Sequence, residues 1–165
     1  MIDTIVSDFS KVCLFAKDPS YSGGLNALNN RLMAEDPKYP FLDFFVVNEA
    51  LLEYYRQLNR VMPIYMFTSE TIQNHPALEP RLKSVFRGLF SAQELNLSKR
   101  DDKAYLSIVE MVGSRPGEVL YIDDKASNLE AAARAGLGTV LYTTNEELIR
   151  ELDPIARSHT ESWPQ

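Results

Sequence analysis

The sequence predicts an α/β fold, a Rossmann-like three-layer α/β/α sandwich with a mostly parallel central sheet. Short apolar runs alternate along the chain with segments of helical periodicity, the pattern of strand–helix–strand units. Three of these apolar runs end in a small polar or acidic side chain, at Asp8, Thr68 and Asp123. The length of 165 residues is sufficient for one domain with one core.

Four apolar runs are expected to form the parallel strands. They are residues 2–6, 63–67, 119–122 and 139–142. A weaker run at 85–90 contains Gly88, and we expect it to form an edge strand.

Helices are expected between these strands, because apolar residues recur there at intervals of three and four. The segments with this spacing are 51–58, 105–112, 129–133 and 148–152. Gly113 and Gly136 are expected to end two of the helices. Thr144 and Glu147 have the spacing of a capping box before the last one.

The domain organisation is expected to be one core domain, residues 1–152, interrupted by a very small cap or flap at 16–45. This insertion is rich in glycine and proline, with a short helix expected through Leu25, Leu28 and Leu32. Its place directly after the first strand is typical of a lid beside an active site. Residues 153–165 are polar, and we expect them to form a C-terminal tail.

The composition excludes several classes of protein. The net charge of −6 and the pI of about 5.0 argue against a nucleic-acid partner and against binding to an anionic membrane surface. No apolar stretch has the length of a membrane span, and no signal peptide is recognisable, so a cytoplasmic protein is expected. The single cysteine, Cys13, lies in an apolar run and is expected to be a buried thiol.

The polar strand ends indicate a metal site. Ligands of open parallel sheets bind beyond the carboxyl ends of the strands. A carboxylate at such a position is costly to bury without a cation. The acids after two strands, Asp8 and the pair Asp123–Asp124, therefore predict a divalent ion, and oxygen ligands favour Mg²⁺.

Four short segments carry a family resemblance. They read IVSDFS at 5–10, IYMFTS at 64–69, SKRD at 98–101 and LYIDDKASN at 120–128. In this order they resemble the four motifs of the haloacid-dehalogenase-like (HAD) hydrolase superfamily. The resemblance covers about residues 1–15 and 46–152, and it is most specific between Glu118 and Gly136.

The resemblance implies a Mg²⁺-dependent phosphatase or phosphoryl transferase that acts through an aspartyl-phosphate. Asp8 would be the nucleophile. Asp8 and Asp123 would ligate the ion together with the backbone carbonyl of Ser10, and Asp124 would ligate through water or orient Lys99.

The phosphoryl group would be held by a second set of residues. The resemblance implies that Thr68 and the backbone N–H of Ser69 bind its oxygens, with Ser10 beside them. Lys99 would neutralise the nucleophile and the charge that develops in the transition state.

Three positions depart from the family pattern. Ser10 stands where phosphatases of the family carry the acid–base Asp, Lys11 follows where glycine is common, and Arg100 follows Lys99 in place of the Lys-x-Pro form. A serine hydroxyl has no useful pKa for proton transfer. Three interpretations stay open: a specialised phosphatase, a non-phosphatase hydrolase of the dehalogenase type, and a weak or inactive binding or regulatory protein.

The substrate is not specified by the sequence. We expect a phosphorylated small molecule, although a small cap leaves an open site that would also suit a bulky substrate or a partner subunit. The sequence gives no oligomeric state.

Overall fold

The computed structural model describes residues 1–161 and contains a five-stranded parallel sheet in the order β5-β4-β1-β6-β7. The strands of this sheet are β1 (Thr4–Ser7), β4 (Ile64–Thr68), β5 (Leu89–Ser91), β6 (Val119–Asp123) and β7 (Gly138–Leu141). The weak apolar run does supply the edge strand, β5. The strand with the nucleophile candidate, β1, is central, so the site lies at the middle of the sheet edge.

Helices cover both faces of the sheet. They are α1 (Leu25–Glu35), α2 (Phe41–Phe44), α3 (Glu49–Leu58), α4 (Glu79–Lys83), α5 (Asp102–Val112), α6 (Ala126–Arg134) and α7 (Asn145–Glu161). Ile5 of β1 packs in a cluster with α3 and α7, whereas the adjacent Val6 packs in a cluster with α5 and α6. Because successive strand side chains point to opposite faces, the two clusters form two separate cores. The predicted three-layer α/β/α fold is confirmed.

The insertion is flanked by a separate two-stranded sheet. Its two strands, β2 (Leu14–Ala16) and β3 (Phe45–Val47), pair with each other in antiparallel orientation and not with the main sheet. Helix α1 lies between them in the chain and buries Leu25, Leu28 and Leu32 against the main core, on the face that the sequence predicted. The cap therefore has no separate core.

The C-terminal segment differs from its prediction. Residues 153–161, expected to be a loose tail, continue α7 to Glu161. Leu152 is fully buried, and Ile155 and Ala156 pack against the core, so burial of this apolar face outweighs the helix-breaking tendency of Pro154. The remainder of the predicted tail, residues 162–165, lies outside the described residues.

Two further expectations concern burial and membranes. Cys13 is fully buried, as expected, and burial raises the pKa of its thiol. Within residues 1–161, none of the helices combines the length and the hydrophobicity that a membrane span requires.

Candidate active site

Three strands deliver polar side chains to one edge of the sheet. Asp8 follows β1, and its N–H donates to the carbonyl of Ile122 in β6 at 2.8 Å, so the parallel pairing continues to the acid. Thr68 ends β4 and Asp123 ends β6, on either side of β1. All three side chains are buried, with exposures of 5%, 1% and 0% for Asp8, Thr68 and Asp123. The sheet topology therefore places two carboxylates and a hydroxyl within one small volume.

Lys99 reaches this edge from the loop before α5 and bridges the two carboxylates. Its Nζ lies 2.7 Å from Oδ1 of Asp8 and 3.0 Å from Oδ2 of Asp123. The ammonium also lies over the aromatic rings of Phe67 and Tyr121, with distances of 5.4 Å and 5.5 Å to the ring centroids. A buried lysine is costly unless paired, and these contacts offset that cost.

The Lys99 backbone is fixed as well. The hydroxyl of Tyr105, on α5, donates to the Lys99 carbonyl at 2.8 Å. Helix α5 is itself capped by the Asp101 carboxylate, which accepts from the N–H of Lys103 at 3.0 Å. The helix ends at Gly113, whose φ of +73° is the left-handed conformation that favours glycine. A well-defined helix thus sets the position of the loop.

Asp123 is held by three further donors. The Tyr121 hydroxyl donates to Oδ2 at 2.5 Å, the Asn128 side chain donates to Oδ2 at 3.0 Å, and the Lys125 N–H donates to Oδ1 at 2.8 Å. The sequence reasoning gave no role to Tyr121 or Asn128. Both lie inside the segment LYIDDKASN at 120–128, so their spacing from Asp123 was a signal that could have identified them.

Burial and charge act differently on the three ionisable groups. Burial and the charge of Asp123 raise the pKa of Asp8 to about 6, against the opposing effect of Lys99. Although burial also raises the pKa of Asp123, Lys99 and the hydrogen bonds from Tyr121 and Asn128 bring it below its usual value. Burial acts to lower the pKa of Lys99, but Asp8 and Asp123 outweigh it and raise that pKa. At neutral pH the site is therefore an ion-paired cluster.

The donor set suits a divalent cation. Carboxylate oxygens of Asp8, Asp123 and Asp124 lie within 4.8 Å of one another. Oδ1 of Asp124 is buried without a hydrogen-bond partner, and so is Oγ of Ser10. Buried acceptors without donors are costly, and a metal ion with its bound water would satisfy them. Lys99 contacts Asp8 and Asp123 rather than Asp124, which leaves Asp124 free to face an ion.

A pocket of about 100 Å³ lies at this edge, next to the start of α1 in the insertion. Its lining includes Asp8, Ser10, Lys11, Asn26, Thr68, Ser69 and Asp124. Ser69 is exposed, whereas Thr68 lies deeper. All seven residues predicted for the site are thus brought to one edge of the sheet, while the roles assigned to them stay predictions.

Asn26 ties the insertion to this pocket. Its Oδ1 accepts from the N–H groups of Thr71 and Ile72, at 3.2 Å and 2.9 Å, in the short 3₁₀ turn that follows β4. The sequence analysis did not identify this residue, because an asparagine in a helix carries no sign of a partner 45 residues later in the chain. The contact fixes α1 beside the Thr68–Ser69 strand end.

Solved structures share this architecture across nearly the whole chain. A magnesium complex of a HAD family enzyme from Bacteroides thetaiotaomicron superposes with a TM-score of 0.67 at 14% identity, over 92% of this chain and 98% of that one. A HAD-like family hydrolase from Porphyromonas gingivalis gives 0.65 at 18% identity, over 95% and 98% of the two chains. This chain has the HAD-like fold, and the resemblance predicted from its motifs is confirmed.

Relatives found by sequence match shorter parts of this chain. The enolase-phosphatase E1 of Sorangium cellulosum is 46% identical over 55 residues, which are 32% of this chain and 24% of the relative. That of a Sulfurihydrogenibium species is 25% identical over 145 residues, 85% of this chain and 58% of the relative. The chain thus spans less than two thirds of the length of these relatives. No protein-family model matches the sequence.

The turn after β1 is where the sequence departs from the motif pattern of the HAD superfamily. Lys11 adopts φ of +62°, a left-handed conformation that costs a side-chain-bearing residue about 1 to 2 kcal/mol. The turn enforces it, since the N–H of Lys11 donates to the Leu14 carbonyl at 2.7 Å and the Cys13 N–H donates to the Phe9 carbonyl at 2.8 Å. The chain therefore holds a lysine where glycine would be unstrained.

Proposed function

We propose that this protein is a Mg²⁺-dependent phosphatase of the HAD type that cleaves a phosphorylated small molecule through an aspartyl-phosphate on Asp8. The observation that supports this most directly is Lys99, a buried ammonium that contacts both Asp8 and Asp123 at the carboxyl edge of the sheet. An ordinary structural ion pair would need only one acid. A cation shared by a nucleophile and a metal ligand is suited to an anionic substrate.

The metal site supports the same function. Asp8, Asp123 and Asp124 would hold Mg²⁺ with the carbonyl of Ser10, and the unpartnered Oδ1 of Asp124 is the atom best placed to gain from it. When bound, Mg²⁺ supplies charge neutralisation between the phosphoryl oxygens and the carboxylates. The Bacteroides thetaiotaomicron HAD enzyme has been crystallised with magnesium and inorganic phosphate. We extend that ligand pair to this chain.

The first chemical step uses Asp8. In this proposal a carboxylate oxygen of Asp8 attacks the phosphorus, a P–O bond forms, and the bond to the leaving oxygen breaks with its electron pair. The Thr68 hydroxyl and the Ser69 N–H donate to the phosphoryl oxygens. Lys99 keeps Asp8 ionised and turned toward the pocket, and it offsets the charge that develops on the transferred group.

The second step regenerates the carboxylate. Water attacks the phosphorus of the aspartyl-phosphate, the bond to Asp8 breaks, and the proton of the water leaves with phosphate or solvent. Neither step has a side-chain acid or base at position 10, because Ser10 stands there. Loss of such assistance costs about 10² to 10⁴ in rate. The proposed phosphatase is therefore slow toward esters whose leaving group must be protonated.

Ser10 also favours a second candidate function. A HAD-like protein that binds a phosphorylated ligand and turns it over little would keep Asp8, Lys99 and Asp123 and have no need of the acid. The dehalogenase type remains a third alternative, recognisable by halide release in EDTA.

The test is phosphate release from 4-nitrophenyl phosphate with Mg²⁺ and with EDTA. Wild type should release phosphate only with Mg²⁺, and Asp8→Asn should reduce the rate at least 10³-fold. Asp43→Asn, on the exposed part of the insertion, is the matched control and should be unchanged. Magnesium binding by calorimetry gives a readout independent of turnover. Equal rates in wild type and Asp8→Asn would refute the proposal, and Mg²⁺ binding without turnover would favour the binding protein.

A further inference from the structure

Lys11, next to the position where Ser10 replaces the acid–base Asp, has no role in the proposed mechanism. Lys11 directly follows Ser10 and is one of the residues that line the same pocket as Asp8 and Thr68. Its backbone is left-handed, so glycine would fit this turn without strain. Strained residues concentrate where their side chain is needed. A lysine held there against its conformational preference indicates that the ammonium serves the pocket.

Lys11 forms no salt bridge in the described part of the chain, residues 1–161. Asp8, one of the acids that line the pocket, is already paired with Lys99. The half-buried Lys11 is therefore available to an anion that enters the pocket, and the protein's net charge of −6 makes such a free cation at the site more notable.

Ser10 and Lys11 together indicate the chemical type of the leaving group. Resting on the proposed function, we propose that Lys11 contacts the leaving oxygen and that this oxygen departs as an anion, so that the substrates are acyl phosphates or phosphoanhydrides. Asp8 forms the new P–O bond, the old P–O bond breaks toward the leaving oxygen, and a carboxylate or phosphate anion leaves without taking a proton. Lys11 neutralises the anion.

An anionic leaving group explains both Ser10 and Lys11, the two residues after β1 that differ from the family pattern. A leaving group that is stable as an anion needs no general acid, which fits Ser10. It does need its developing charge compensated in a pocket that is also lined by Asp8, Glu70 and Asp124, which fits Lys11. An alcohol leaving group would also need an acid to protonate it, and position 10 supplies none.

The experiment compares leaving groups of increasing basicity. Wild type, Lys11→Gln and Lys11→Arg are assayed with Mg²⁺ on acetyl phosphate, inorganic pyrophosphate, 4-nitrophenyl phosphate and phenyl phosphate. Lys38→Gln, an exposed lysine on the far part of the insertion, is the matched control. Acetyl phosphate against pyrophosphate distinguishes a carboxylate from a phosphate leaving group.

The expected result is a change in rate and also in the slope of log kcat/KM against the pKa of the leaving group. Wild type should have its highest kcat/KM on acetyl phosphate or pyrophosphate. Lys11→Gln should lower kcat/KM about 10-fold for acetyl phosphate and about 100-fold for phenyl phosphate, because the more basic oxygen depends more on the cation. Lys11→Arg should restore most of the rate, and Lys38→Gln should match wild type.

Several outcomes would overturn the inference. Equal losses on every substrate would place Lys11 on the phosphoryl group or in folding, and unchanged rates on every substrate would give it no role. If Lys11→Gln does not fold, Lys11→Gly suits the left-handed turn and replaces it. An active wild type with an inactive Asp8→Asn and an unaffected Lys11 variant refutes only this inference. No hydrolysis of any substrate by wild type refutes the proposed function and this inference with it.

Discussion

Replacing Lys99 tests the electrostatics of the site, because Lys99→Met keeps most of the apolar length of the side chain and removes its charge. Each contact, at 2.7 Å to Asp8 and 3.0 Å to Asp123, corresponds to about 6 kcal/mol of Coulomb energy at an effective dielectric constant of 20. Desolvation of three buried groups cancels most of this. Breaking a buried pair from one side costs about 3 to 5 kcal/mol, and we expect that loss for metal-free Lys99→Met.

Urea and thermal unfolding in EDTA measure the loss. For a domain of this size, 1 kcal/mol corresponds to about 2 to 4 °C, so Tm should fall by about 6 to 20 °C. The double variant Lys99→Met/Asp8→Asn is the decisive control. It removes one of the two carboxylates left unpaired, so it should recover part of the lost free energy of unfolding. A loss below about 1 kcal/mol, as for a surface pair, would refute the reasoning, and so would a double variant less stable than Lys99→Met.

The free energy of unfolding that metal-free Lys99→Met loses should also depend on pH. The pKa of Asp8 is raised to about 6 in the fold, so the stability that comes from its protonation is fully present below the unfolded value of about 3.9 and is lost as the pH rises through about 6. Lys99 opposes this shift, and its removal raises the pKa of Asp8 further. The deficit of metal-free Lys99→Met should therefore be smaller at pH 5 than at pH 8. A larger deficit at pH 5 would contradict the assigned charges.

Three other substitutions test separate parts of the site. Asp124→Asn should abolish the rise in Tm caused by Mg²⁺. The metal-free variant should be at least as stable as metal-free wild type, because the buried Oδ1 of Asp124 has no hydrogen-bond partner to lose. Differential scanning fluorimetry with and without Mg²⁺ measures both Tm values. Ser10→Asp should raise the hydrolysis of phenyl phosphate about 10- to 100-fold by supplying a general acid, and a clear decrease would mean that Ser10 has a role of its own. Asn26→Ala should cost about 1 to 2 kcal/mol through the unpaired N–H groups of Thr71 and Ile72 and should raise KM more than it lowers kcat, with unchanged urea unfolding as the contrary result.

The core of the site could be predicted from the sequence because it depends on strand ends. Apolar runs mark the strands, and the carboxyl ends of neighbouring parallel strands meet, so Asp8, Thr68 and Asp123 had to lie close together. Lys99 needed the family resemblance, since a loop lysine has no periodicity to place it. Its contacts with Phe67 and Tyr121 depend on side-chain packing, which no spacing in the sequence encodes.

The prediction was weaker where tertiary contacts decide the structure. Pro154 and the polar residues around it suggested a tail, but an apolar face through Leu152 and Ile155 was repeated at helical spacing and could have been followed further. The pairing of β2 with β3 joins segments about 30 residues apart, with only three residues in each strand. Short strands at such separation leave little local signal.

The bridging lysine also has a consequence for the order in which ligands bind. With all groups ionised, three carboxylates and one ammonium leave two formal negative charges in a largely dehydrated cluster. A doubly charged phosphate that arrives first meets net repulsion, whereas one that arrives after Mg²⁺ meets a neutral cluster. Steady-state kinetics should therefore show a compulsory order with the ion first. In Lys99→Met the carboxylate cluster would keep one uncancelled negative charge even with the ion bound, so the phosphate should bind more weakly than in wild type.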